Sequence, residues 1–211
     1  MTLVVIAAGV WCVALMAASL VRALRRGRPR VTAVPRGRAV DGLAYVFGPA
    51  MRPWAKDGAR RHPAVVGLGL VYHLGIAAAT VMVGALVAAA WSPLSWSGGV
   101  RGLLTLLLVF ATGAGLALLL RRLRDAALRR ISIPDDYVSN ALVTLFLAAT
   151  TAWLIGGAFE PLVLSAASAL LLYAPLGKIR HCVFYPVARV ALGLRLGRRG
   201  VVGRRAQGAG A

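Results

Sequence analysis

The chain has 211 residues, 59% of them hydrophobic, with a mean hydropathy of +0.76 and 25 Lys and Arg against 6 Asp and Glu, a net charge of +19. Soluble domains run nearer half apolar, and here the excess sits in blocks of roughly 20 residues, the length that crosses a hydrocarbon core as a helix. That excludes an ordinary soluble domain. It also argues against a nucleic-acid partner, because the positive charge collects at the ends of the apolar blocks and forms no single binding stripe.

Five spans are expected, at about 3–21, 64–91, 102–120, 138–158 and 161–185, making an all-α membrane protein with one transmembrane domain over residues 1–200. The first apolar run follows Met1-Thr2 directly and the Arg cluster comes after it, the reverse of a cleaved signal peptide. Residues 24–60 then form a basic loop with Pro29, Pro35, Pro49 and Pro53, in which a short interfacial helix is expected around Leu43–Met51. Such a loop either docks another protein or lies solvated beside anionic headgroups. The second span opens at His62-Pro63, and Trp91 and Trp96 flank the connection after it, as in an aromatic belt. Leu118–Leu120 close the third span ahead of Arg121-Arg122. Asp135 and Asp136 precede the first turn of the fourth and complement its dipole. The fifth is apolar from Pro161 to Leu176, and its helical pattern resumes through Gly177–Tyr185. Gly-Arg-Arg-Gly at 197–200 leads into residues 201–211, expected to be a disordered tail.

Eleven basic residues lie between Arg22 and Arg61, five between Arg121 and Arg130, and eight between Lys178 and Arg205; Arg101 is the remaining one. With five crossings these three segments share one side. Lys and Arg near span ends stay in the cytoplasm, so the N-terminus is expected outside and the C-terminus inside. The expected setting is the cytoplasmic (inner) membrane of a prokaryotic cell, crossed several times.

Cys12 and Cys182 are too few for a disulfide framework or an iron–sulfur centre, and there is no CxxCH motif, phosphate loop or internal repeat. The chemistry therefore falls to histidine. His73 lies within the second span and His181 at the inner end of the fifth, both toward the cytoplasmic side. An ionisable residue inside a membrane marks a functional site, and two neutral imidazoles on facing helices can ligate one haem iron. Gly67, Gly69 and Gly75 would leave room for the porphyrin, and Lys178 and Arg180 would pair with its propionates. The bland alternatives are hydrogen-bonded histidines, close helix packing at the glycines, and cations that reach for the headgroups. His62 lies eleven residues before His73, three helical turns, and so would share its face about 16 Å away; it is either an interfacial side chain or a quinone or proton ligand.

Tyr72-His73-Leu74-Gly75-Ile76 resembles a haem-ligand motif in the gamma subunit of respiratory nitrate reductase, and Pro175-Leu176-Gly177-Lys178-Ile179-Arg180-His181 resembles the other motif, at the end of the fifth helix. Ile131–Tyr137 and Gly197–Val201 are more similar to related cytochrome b subunits of sulfate reducers and heterodisulfide-reductase-type complexes. The resemblance implies haem b held by His73 and His181, an exchangeable quinone (menaquinone ahead of ubiquinone) and a cytoplasmic iron–sulfur oxidoreductase subunit as partner. The substrate-reducing centre would be on that partner. The family holds a second, outer haem whose ligands would fall at Val83 and Val163, so one haem is expected here. Quinone candidates beside it are His62, Tyr72, Asp135 and Asp136, with a plain helix cap the alternative for the two Asp. A haem-free membrane anchor or assembly subunit is the rival function. A transporter is the weaker one, since Glu160 at a helix end is the only carboxylate within the last three spans apart from that Asp pair.

Overall fold

The computed structural model describes residues 1–26, 34–89, 97–157 and 159–202. The Trp91 and Trp96 belt lies outside these, as do residues 203–211 of the expected tail. Among the described residues all regular structure is helical: α1 (Thr2–Arg25), α2 (Ala39–Phe47), α3 (Asp57–Arg61), α4 (Pro63–Ala89), α5 (Gly98–Arg124), α6 (Ala126–Ile131), α7 (Pro134–Gly156), α8 (Glu160–Tyr173) and α9 (His181–Arg198). Four of them, α1, α4, α5 and α7, are long and apolar enough to cross a membrane. A fifth span is counted when Glu160–Tyr173 and Lys178–Arg198, a bent pair, are taken as one. The span expected over 161–185 is thus broken between its apolar run and the helical pattern that resumes after it. Pro175 has no N–H to donate and its ring clashes with the preceding turn, so α8 ends at Tyr173 and a short 3₁₀ turn, Lys178–Arg180, precedes α9.

The chain forms two compact units, residues 1–15 with 64–179 and residues 16–63 with 180–211. In the first, α5 packs on α7 and α7 on α8. α7 is the centre of this unit, burying Val143, Phe146, Leu147, Ala149, Thr150 and Leu154. Its start is set by Pro134 in the first turn and by Asp136, whose carboxylate accepts from the Ile133 N–H at 3.0 Å. Its end is set by Gly157, which takes the left-handed conformation at φ 70° and donates its N–H back to the Trp153 carbonyl. Arg101, in the first turn of α5, donates to the Leu154 carbonyl at 2.8 Å and satisfies one of the last carbonyls of α7. Met82, Leu108, Leu147 and Val163 are wholly buried between these helices, with Ala79, Ala111 and Ala167 allowing close approach.

In the second unit α2 lies against α9. Gly42 meets the backbone of Gly193 and Gly197 so closely that no Cβ fits, and Gly197 is in turn pressed against Arg38 and Ala39. Val46 is fully buried over Gly193. The Arg36 N–H donates to the Arg198 carbonyl at 2.8 Å, and Arg189 donates to the Val46 carbonyl. The basic loop is therefore largely ordered, with α2 and two 3₁₀ turns (Pro49–Met51 and Pro53–Ala55) where one short interfacial helix was expected. The Gly-Arg-Arg-Gly stretch closes a helix that packs on that loop.

Candidate functional site

His73 is exposed on α4, a 27-residue span, and shares its face with exposed Gly67, Leu70 and Ala77. Its Nδ1 lies 2.7 Å from the Gly69 carbonyl one turn earlier. A carbonyl only accepts, so Nδ1 carries the proton and Nε2 carries the lone pair of the neutral ring. That is the tautomer a metal-ligating imidazole adopts, with a carbonyl orienting the ring and raising its basicity. The ring also stands edge-on to Tyr72, centroids 6.0 Å apart. A Cβ at Gly67 or Gly69 would meet open space. Gly75 does not: a Cβ there would run into Ala111 of α5, so this glycine serves close helix packing instead.

His181 is the first residue of α9 and belongs to the second unit. It is exposed, as are Arg180 before it and Cys182 after it. Among the described residues no group of three or more His, Cys, Asp or Glu could hold a metal ion. A haem asks less of the protein, since the porphyrin supplies four ligands and the chain only the axial ones, and the imidazole donor at His73 has the chemistry for one of these.

The remaining candidates divide sharply. Tyr72 is buried, and its hydroxyl donates toward the Asn140 carbonyl at 3.2 Å and sits 3.3 Å from the Thr144 hydroxyl. It ties α4 to α7 from inside the core. His62 is exposed and does not share a helical face with His73. It lies ahead of α4 at φ −133° and ψ 59°, outside the helix, because the residue before a proline is pushed out of the α region. Val83 and Val163 are both buried in the one core cluster.

Asp135, Asp136 and Lys178 come together where α7 begins and the chain leaves α8. Asp135 accepts from the Tyr173 hydroxyl, from Ser139 at 2.9 Å and from the Lys178 backbone N–H at 2.8 Å. Asp136 pairs with the Lys178 ammonium and, at 3.5 Å, with Arg122 of α5. Gly177 fits beneath this knot because a side chain there would strike the Tyr173 ring and the Asp135 carboxylate. The Asp pair is thus both a helix cap and a clamp on the turn after α8, and the Lys178 ammonium has an internal acid partner. Tyr173, Arg122 and Gly177 escape sequence reasoning, although a Gly-Lys pair after Pro175 signals a tight polar turn. No family model matches this chain, and no curated protein or solved structure matches it either.

Proposed function

We propose that this chain is a haem b-carrying membrane subunit that passes electrons between a quinone and a cytoplasmic iron–sulfur subunit of a respiratory oxidoreductase. The observation that carries this reading is His73. It is an ionisable ring exposed on an apolar span, which marks a functional candidate, and its Nδ1 lies 2.7 Å from the Gly69 carbonyl. The second axial ligand in this reading is His181. A haem held by the two supplies a one-electron carrier in the membrane. The Gly69 carbonyl orients His73, the Asp135–Asp136–Lys178 clamp fixes the turn that precedes His181, and Arg180 would balance propionate charge if haem were bound. Lys178 thereby acts through its turn more than as a direct propionate partner. With Tyr72 and the two Asp engaged inside the fold, His62 is the quinone-side donor we favour, and menaquinone the favoured quinone.

The expected topology finds support in the second unit. α2 packs on α9, which agrees with a topology in which the Arg22–Arg61 and Arg180–Arg199 segments share one side of the membrane, with an even number of crossings between them. In this reading α4, α5 and α7 cross, each long and apolar enough by itself, and α8, at 14 residues or about 21 Å, would have to complete the fourth crossing without α9. By the positive-inside rule that side would be the cytoplasm, and the proposed setting is the inner membrane of a prokaryote.

A haem-free anchor or assembly subunit is the second reading, favoured by the burial of Val83 and Val163 in the core where the resembled family places outer ligands. A dithionite-reduced minus oxidised visible spectrum of the purified protein separates the two. We expect a b-type spectrum that His73→Ala or His181→Ala abolishes and His62→Ala retains. A colourless protein would replace the cytochrome with the anchor.

A further inference from the structure

The second unit is strongly cationic: its described residues hold fourteen Lys and Arg, against Asp41 and Asp57 as its only acids. Four of the arginines come from distant parts of the chain and meet at one end of the α2–α9 pair. Arg36 and Arg38 lead into α2, and Arg198 and Arg199 end α9. Their backbones are locked together. Arg36 N–H donates to the Arg198 carbonyl at 2.8 Å, the Arg38 carbonyl abuts Gly197, and Gly200, at φ 67°, leaves room for the Arg36 carbonyl. All four side chains are exposed, and no carboxylate is bonded to any of them among the described residues. Four exposed arginines anchored on backbone this close together concentrate positive charge at one end of the helix pair, so the arrangement calls for a counter-anion.

The surroundings say which kind. Val34, Val40 and Val201, which flank the arginines in sequence, are each more than half exposed, and Phe47 and Trp54 of the same unit are exposed as well. A water-soluble or acidic-protein ligand gains nothing from bare aliphatic residues interleaved with guanidinium groups. The boundary between headgroups and acyl chains gains from both, since apolar side chains enter it while basic ones meet the phosphates. The guanidinium fork also matches the paired oxygens of a phosphodiester. We propose that Arg36, Arg38, Arg198 and Arg199 form a binding site for the phosphodiester headgroup of an anionic phospholipid, assembled by the glycine contact of α2 with α9. The site does not depend on the haem.

The test uses the full-length protein in non-ionic detergent, with phosphatidylglycerol or phosphatidylcholine added and bound lipid counted by native mass spectrometry. The wild-type protein is expected to retain phosphatidylglycerol in preference. Arg36→Gln/Arg198→Gln/Arg199→Gln should lower that preference on the order of a hundredfold. Arg121→Gln/Arg124→Gln/Arg130→Gln, with the same loss of charge in the first unit, should leave it unchanged. Gly42→Val keeps every charge but drives a side chain into the Gly193 backbone, and should also lose the preference. The two arginine variants decide the matter even if Gly42→Val does not accumulate. Equal loss in both arginine variants, no preference in the wild type, or displacement of the lipid by equimolar inorganic phosphate would each overturn the proposal.

Discussion

At the residue scale, Asp136 carries the most connections. It caps α7 through the Ile133 N–H, pairs with Arg122 from α5 and with Lys178 beyond α8, and its side chain is only 9% exposed. Lys178 keeps half its side chain in the open, so its bond with Asp136 is screened. A double-mutant cycle on Asp136→Asn and Lys178→Met is predicted to give a coupling of about 0.5–1 kcal/mol in thermal or denaturant unfolding in detergent. A coupling of zero would mean the two do not act as a pair. The Asp pair was legible in the sequence as a helix cap because caps are local. Its partners Tyr173 and Lys178 lie about forty positions away, and only the fold brings them in. His73 was legible for the opposite reason: a lone imidazole in an apolar run stands out without any structure. What the sequence left open there was the hydrogen bond from Nδ1, which follows from the i−4 carbonyl, and the fact that Gly75 packs where Gly67 and Gly69 do not.

At the element scale, the first four spans could be read to within a few residues, because runs of apolar residues of membrane length have few other outcomes. The fifth could not. Its hydropathy continues across Pro175, but the backbone does not, and the clamp on α7 takes the chain into a turn. The pairing of α2 with α9 was also hidden, since Gly42 and Gly193 are about 150 residues apart. The Gly193-x-x-x-Gly197 spacing is the one local sign of a close helix contact, and it lies in a stretch whose charges draw attention first. Packing between the spans is equally tight in the first unit. Gly115 of α5 faces the Tyr72 ring and the Thr144 hydroxyl. Gly115→Leu is therefore predicted to cost about 1–3 kcal/mol through overpacking, seen as a lower unfolding midpoint in detergent. Gly113→Leu on the same helix, where a side chain meets open space, should leave the midpoint near that of the wild type.

At the scale of the whole molecule, the proposed topology has the apolar spans crossing the membrane and the cationic helix pair on its cytoplasmic side. Side-specific labelling tests that arrangement. In a Cys182→Ser background, with Cys12 buried, single replacements Gly58→Cys and Val201→Cys are predicted to react with a membrane-impermeant maleimide from the cytoplasmic side of oriented vesicles. Gly99→Cys, in the first turn of α5 and with open space around it, should react only from the other side. Labelling of the first two from opposite sides would break the α2–α9 pairing and the crossing count with it. The central claim, however, is that this bundle carries one haem, and a pyridine haemochrome assay against protein concentration tests it most directly. The account predicts one haem b per chain. None would leave the chain an anchor, and two would mean that the Val83 and Val163 level of the bundle holds a cofactor through other ligands.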